Sequence, residues 1–288
     1  MLRPILCLLA SHAASGDYRG AVPAAASIEL VHNFSLIHDD IQDRSPQRRH
    51  RPTVWHIWGD AQAINAGDGL HVLAHLAHLR LLDRGCPASR VLATMKELDK
   101  ACLELCEGQY LDISFEQETR VGLSAYLGMI GKKTAALFAS STRIGAMLGT
   151  DDKAVIEGLG RFGEELGLAF QIQDDILGIW GIEEKTGKPS LDDIRAKKKS
   201  LPIVYAMDTL KGQRLLVLED ALGEDILDDN KVSAVLSALE AAGSQTYCES
   251  LAKEYWDRAW SRLDALPLVR EAEAALKQLA GGLVARAS

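Results

Sequence analysis

The chain lacks three things that would each open a different reading. It has no apolar run of the roughly 18 residues needed to span a bilayer. It has no convincing stretch of the two-residue alternation that marks strands. It has no Ser/Gly/Pro-rich linker to divide it. Basic excess is missing too: 32 Lys and Arg against 40 Asp and Glu give a net charge of −8, which argues against a nucleic-acid partner. An anionic small substrate stays open, because the cations are clustered. The N-terminus mimics a secretion signal, with Arg3 before the apolar Ile5 to Ala10. That run is short and passes straight into Gly16-Asp17-Tyr18, which speaks against export. The five cysteines (Cys7, Cys86, Cys102, Cys106, Cys248) are odd in number and lack metal-type spacing. Cys102 and Cys106 would share a helix face as small buried hydrophobes, in a reducing cytoplasm.

What is present is helical. At 47% hydrophobic and 25% charged over 288 residues, the chain has ample material for a core. Val22, Ile28, Leu30, Val31, Phe34 and Ile37 recur with helical period across 21–38, and residues 65–82, 88–117, 123–148 and 151–180 continue it. Arg44 to Pro52 is expected as a polar loop. The longest polar break runs from Gly181 to Lys199. The expectation is one all-α domain over 1–288.

The chemistry concentrates in Ser35-Leu36-Ile37-His38-Asp39-Asp40-Ile41-Gln42-Asp43, followed by Arg48 and Arg49. Asp39 and Asp43 fall on one helix face with Asp40 beside them. Side by side they repel, and a hard divalent cation removes that cost, since Mg²⁺ favours oxygen and bridges carboxylates to phosphates. The guanidinium forks suit the same phosphates. Phe170-Gln171-Ile172-Gln173-Asp174-Asp175-Ile176-Leu177-Gly178 repeats the arrangement, with Lys185-Thr186-Gly187-Lys188-Pro189 and a lysine-rich 193–202 behind it. Two such clusters facing each other would hold several metal ions around one diphosphate. Taken alone, each aspartate group reads as a cap or a solvated helix end. Asp151-Asp152 and Asp228-Asp229 serve as internal controls: neither ends an apolar run with basic company, and both are read as caps or turns. His71, His75 and His78 share a helix face, but they lack the acidic base of a zinc hydrolase and sit among Leu, Val and Ala, so they are read as packing residues.

These segments resemble those of the trans-isoprenyl diphosphate synthases, also called polyprenyl synthetases, short-chain type. The resemblance rests on Leu2-Arg3-Pro4, HDDIQD with RRHRPT (38–43, 48–53), Ala66-Gly67-Asp68, Glu107-Gly108-Gln109 with Asp112, Met129-Ile130 with Lys133-Thr134, FQIQDD (170–175), TGKP (186–189) and KKSLP (198–202), in the family's order. It implies a large helical bundle around a central cavity, a homodimer, and two or three Mg²⁺ ions, with Mn²⁺ as a substitute. The implied reaction is ionisation of an allylic diphosphate, attack by isopentenyl diphosphate, and proton loss, so that the enzyme's work is charge stabilisation and exclusion of water. Asp39, Asp40, Asp43, Asp174 and Asp175 match the metal carboxylates. Arg48, Lys133, Lys188 and Lys198 match the allylic diphosphate side, and Arg3, His32 and Arg49 the isopentenyl diphosphate side. Thr134 and Gln171 match polar positions near the allylic carbons. Lys197 and Lys199 are read as solvated.

Three departures from the family stand out. The Gly-Gly-Lys segment usual before Arg3 is absent with one or two helices, for which an incorrectly assigned start is the favoured reading. Gly178 replaces the last aspartate of the second cluster, which is expected to loosen one metal. His50 stands where glycine is commoner. Phe34 and Ser35, just before Asp39, match the cavity floor that limits chain growth, with geranylgeranyl diphosphate the expected product and farnesyl diphosphate second. A class I terpene cyclase is disfavoured by the missing Asn-Ser-Glu triad. A non-catalytic subunit of a heteromeric synthase is opposed by the intact Asp39-Asp40-Asp43 and Arg48-Arg49 sets.

Overall fold

The apolar period between 21 and 38 closes as one helix, Val22–Gln42, because its recurring positions put Ile28, Val31 and Phe34 on a single buried face. The same logic builds the rest of the computed structural model, which describes residues 1–181, 191–223 and 227–284. In order these are α1 (Leu2–Ser15), α2 (Val22–Gln42), β1 (Gln47–Arg48), β2 (Arg51–Pro52), α3 (Val54–Trp58), α4 (Asp60–Leu79), α5 (Ala88–Gln117) and α6 (Leu123–Ile130). A π-helical turn, Gly131–Ala135, leads into α7 (Ala136–Gly149) and α8 (Lys153–Trp180). Then come α9 (Asp192–Arg195), α10 (Leu201–Thr209), α11 (Gln213–Gly223), α12 (Asp229–Ala242), α13 (Ser244–Asp264) and α14 (Arg270–Val284). The all-α class holds.

One local expectation is corrected. The polar stretch 44–52 contains a small antiparallel hairpin, pairing Gln47 with Pro52 and Arg48 with Arg51. Arg49 and His50 make its two-residue turn at φ 51° and 59°, a left-handed pair that favours Asn-Gly. Strands of two residues are too short to show alternation, so no periodic signal marks them. The helical period over 151–180 is met by α8, which runs on to Trp180 and carries Asp174 and Asp175 in its interior.

Contacts sort the chain into two compact units. The first comprises 1–103, 137–163 and 262–278. In it α2 packs on α1 and α4, and Leu6, Ala10, Ile28, Ala74, Ile144 and Phe162 are wholly buried. The second comprises 104–136, 164–261 and the chain from Leu279. One of its apolar clusters joins α10, α11 and α12 through Ile203, Met207, Leu218 and Val235. Another joins α6, α8 and α10 through Tyr126, Ile130, Ile172, Ile176 and Val204. Each fully buried Leu or Ile contributes about 1.5–3 kcal/mol over leaving it in water. These cores fix the helices that present the polar side chains described next.

Candidate active site

In the first unit the carboxylates gather on the last turn of α2. Asp39 is half-buried, Asp40 is buried, and Asp43 is the exposed C-cap, donating its N–H to the Asp39 carbonyl at 2.8 Å. The negative end of the helix dipole lies there, and no basic residue occupies that turn. The aspartates gather at the negative end of the helix, where a bound cation would be favoured. Asp40 is turned inward: Arg48, carried by β1, donates Nε–H to its Oδ1 at 2.8 Å. Burial raises the Asp40 pKa and Arg48 opposes the rise.

A basic corner lies in the same unit. Arg3 Nη1 is 3.1 Å from His32 Nε2, and its guanidinium stacks 4.7 Å from the centre of the Phe138 ring. Burial, with the charges of Arg3, Arg49 and Arg48, pushes His32 down to about 3. His32 is thus neutral and accepts from Arg3. Burial lowers Arg3 to about 10, against the pull of Glu29, so it stays charged at neutral pH. Phe34 is buried edge-on to His38 at 5.8 Å and against His71 at 4.9 Å, while Ser35 Oγ donates back to the His32 carbonyl at 2.9 Å. The histidine row of α4 divides: His78 is wholly buried on Thr94 Oγ1 at 2.8 Å, His75 bonds Asp99 at 2.8 Å, and His71 lies 3.7 Å from Cys102 Sγ.

In the second unit Asp174 is exposed and Asp175 is 0% exposed. Three donors converge on the Asp175 carboxylate: the Tyr126 hydroxyl, the Leu201 N–H at 3.1 Å and Gln171 Nε2 at 3.1 Å. Thr134 Oγ1 donates to Gln171 Oε1 at 2.7 Å, which fixes the amide's orientation. Burial pushes Asp175 up to about 6 against the opposing pull of Lys198, the Tyr126 hydroxyl and the Leu201 N–H. Thr134 and Lys133 sit on the π-helical turn, a distortion frequent at functional sites. A Cβ at Gly108 would lie 2.3 Å from the Lys133 N, so glycine is what lets α5 approach that turn. Lys133 pairs with Asp112. Burial pulls the Lys198 ammonium down, but Asp193, Asp175, Asp174 and Asp112 outweigh it and the net shift is upward. Lys188 lies outside the described residues.

The structure thus brings together Arg3 with His32, Arg48 with Asp40, and Thr134 and Gln171 with Asp175. Phe138, Tyr126 and Asp193 join these sets without having been singled out from the sequence. Tyr126 and Phe138 read only as apolar-period residues, and no signal there gave their polar or charged partners. The metal reading fits the donor chemistry, since Asp43 and Asp174 offer exposed hard carboxylate oxygens and Asp39 half-buried ones. Among the described residues no three His, Cys, Asp or Glu side chains stand close enough to hold an ion alone. Mg²⁺ takes one or two carboxylates and completes its shell with water and phosphate. The full burial of Asp175, with its three donors, argues against its expected place among the metal carboxylates, and the Asp40–Arg48 pair argues likewise for Asp40.

Carboxylates, guanidinium groups and lysines on an all-helical frame define a diphosphate-handling protein. The polyprenyl synthetase family pattern matches residues 1–239, and the chain belongs to that family. It is 41% identical over 288 residues to the (2E,6E)-farnesyl diphosphate synthase of Mycobacterium tuberculosis, covering 99% of this chain and 79% of that one. A geranylgeranyl pyrophosphate synthetase from Pyrococcus horikoshii superposes with a TM-score of 0.92 at 37% identity, covering 98% of this chain and 84% of that one. A geranylgeranyl pyrophosphate synthase from Corynebacterium glutamicum, complexed with isoprenyl diphosphate and magnesium, gives 0.88 at 27% identity, covering 99% and 86%. The chain is a prenyltransferase of a metal-dependent family, acting on isopentenyl and allylic diphosphates. Among the described residues no helix is long and apolar enough to cross a membrane.

Proposed function

We propose that the protein joins isopentenyl diphosphate head to tail (1′-4) to an allylic diphosphate, giving all-trans geranylgeranyl diphosphate and releasing diphosphate. The observation that carries the product length is Phe34, 7% exposed and packed against His71, where it would stop a growing chain on α2. Farnesyl diphosphate is the second reading, favoured by the 41% identity to a synthase of that name.

Asp39, Asp43 and Asp174 are the metal carboxylates in this reading, and Asp40 and Asp175 hold their surroundings in place. Bound Mg²⁺ supplies positive charge to the departing diphosphate, which eases ionisation of the allylic C–O bond. Arg48, Lys133, Lys188 and Lys198 bind that diphosphate, and Arg3, His32 and Arg49 bind the isopentenyl one. Neutral His32 orients Arg3, whose fork is matched to phosphate oxygens. Thr134 and Gln171 present fixed dipoles to the allylic cation, since Asp175, itself held by Tyr126, accepts from Gln171. A second copy of the chain is the partner: Val72, Leu76, Leu92 and Leu103 are 59%, 54%, 65% and 61% exposed on α4 and α5, more apolar surface than a lone molecule presents comfortably. None of the five cysteines forms a disulfide, which supports a reducing cytoplasm.

The test is to incubate the purified chain with Mg²⁺, labelled isopentenyl diphosphate and, in turn, dimethylallyl, geranyl and farnesyl diphosphates, then to chromatograph the dephosphorylated alcohols. A discrete twenty-carbon alcohol is expected. A fifteen-carbon end product transfers the assignment to farnesyl diphosphate, and no elongated alcohol overturns the function. Phe34→Ala is expected to lengthen the product; an unchanged length would remove Phe34 from the cavity floor.

A further inference from the structure

The helix that carries Asp39, Asp40 and Asp43 ends in a turn that glycine commonly closes. The Ser45 N–H donates to the Asp40 carbonyl at 3.0 Å and the Arg44 N–H to the Ile41 carbonyl at 3.3 Å, the paired bonds of a Schellman cap. The left-handed position of that cap belongs to Arg44, at φ 51°, where a β-carbon is strained. Its side chain makes contacts that a glycine could not. Arg44 Nη1 donates to both carboxylate oxygens of Asp60, at 2.9 and 2.8 Å, on the first turn of α4. The guanidinium also lies 5.5 Å from the centre of the Trp55 ring, and Trp55 is itself fixed by donating Nε1–H to the Ser45 carbonyl at 2.8 Å. On the other side of the carboxylates, His38 lies so close to α4 that a Cβ at Gly67 would fall 2.1 Å from its Nε2. Asp39 and Asp43 therefore stand on a stretch of chain tied to α4 at both ends.

An ion pair whose side chains are 63% and 45% exposed adds little to stability. Its consequence is where it keeps the charge. Arg44 follows Asp43 in sequence, and without Asp60 its guanidinium would be within reach of the carboxylates at the end of α2, as a counterion that an incoming metal has to displace. We propose that Arg44 and Asp60 are a positioning pair for the metal carboxylates: the pair holds the turn after Asp43 on α4 and keeps the arginine from taking the place of the cation. The inference rests on the metal-binding reading of Asp39 and Asp43 given above.

The test titrates the whole chain with Mn²⁺ alone, reading unbound Mn²⁺ by electron paramagnetic resonance, alongside the melting temperature and the Mg²⁺ dependence of turnover. Arg44→Gly is expected to weaken Mn²⁺ about threefold through loss of the tie. It should melt at or above the parent, because glycine relieves the left-handed β-carbon. Asp60→Ala is expected to weaken Mn²⁺ about tenfold, since it loses the tie and also releases the guanidinium. Adding Arg44→Gly to Asp60→Ala should restore affinity to the level of Arg44→Gly alone, a gain that a purely structural role would not give. Asp60→Asn, which keeps the shape and loses the charge, should match Asp60→Ala and serves if that variant does not fold. In turnover, each variant should need more Mg²⁺ while kcat at saturating Mg²⁺ stays within about twofold of the parent. An Asp60→Asn protein that binds Mn²⁺ like the parent, or a combined variant that binds no better than Asp60→Ala, would overturn the proposal. A parent chain whose Mn²⁺ affinity is unmoved by Asp39→Asn refutes the metal reading instead, so the two failures are distinguishable.

Discussion

Asp39-Asp40 and Asp174-Asp175 are the same dipeptide on the same kind of amphipathic helix, and the structure treats them by one rule with two strengths. In each pair one carboxylate is turned inward and given a protein partner, while its neighbour stays accessible. Adjacent residues on a helix point about 100° apart, so one face cannot serve both. The difference lies in the anchor. Asp40 has a single charged partner, Arg48, whose side chain is 37% exposed. Asp175 has three donors and no contact with solvent. The first anchor links the carboxylates to Arg48, the arginine proposed to bind phosphate, and the second locks α6, α8 and α10 together. Asp152 and Asp228 mark the contrast. Asp152 Oδ1 accepts the Ala154 N–H at 2.8 Å and Asp228 Oδ1 the Lys231 N–H at 2.8 Å, and both are helix caps, as read from the sequence.

The comparison can be broken most forcefully at the accessible members. Asp39→Asn and Asp174→Asn are each expected to lower kcat about 10²–10³-fold, the scale for loss of one preorganised electrostatic contact. Their melting temperatures should stay at or slightly above the parent's, because like-charge repulsion is relieved. A large fall in melting temperature in either would assign that aspartate to the fold instead.

Asp175→Ala tests the inward member. It strands the Tyr126 hydroxyl, the Leu201 N–H and Gln171 Nε2 in a buried space, at a cost of about 3 kcal/mol. Urea denaturation should show the loss, and a midpoint equal to the parent's would contradict the anchoring role.

The histidine row extends the same division to a pH effect. Burial depresses His78 to about 4 from 6.5, so its contribution to stability is complete above pH 6.5 and is lost as pH falls through about 4. The difference is worth about 3 kcal/mol. His78→Gln should therefore remove part of the acid sensitivity in that window, measured as the difference in unfolding free energy between parent and variant. Identical pH profiles would show that His78 titrates normally.

The smallest effect is expected at the hairpin that carries Arg48. His50→Gly relieves a left-handed β-carbon and should stabilise the fold by about 1 kcal/mol. Thermal unfolding that is unchanged or earlier would mean the His50 side chain contributes more than its backbone strain.

Much of this was legible beforehand. Helical period placed α2, α4, α5 and α8, although α4 and α5 leave Val72, Leu76, Leu92 and Leu103 exposed, and the spacing of Asp39, Asp43 and Arg48 named the first cluster. What stayed hidden depends on partners remote in sequence. Nothing local distinguishes Asp39 from Asp40 until Arg48 folds back through the hairpin. Nothing near Asp175 announces Tyr126, 49 residues away.

The most direct measurement of this division of labour is anomalous scattering from crystals grown with Mn²⁺ and inorganic diphosphate. The account predicts metal peaks within coordination distance of the Asp39, Asp43 and Asp174 carboxylates, with Asp40 still on Arg48 and Asp175 still on Tyr126. A peak coordinated directly by Asp175 or Asp40, with the inward hydrogen bonds broken, would contradict it.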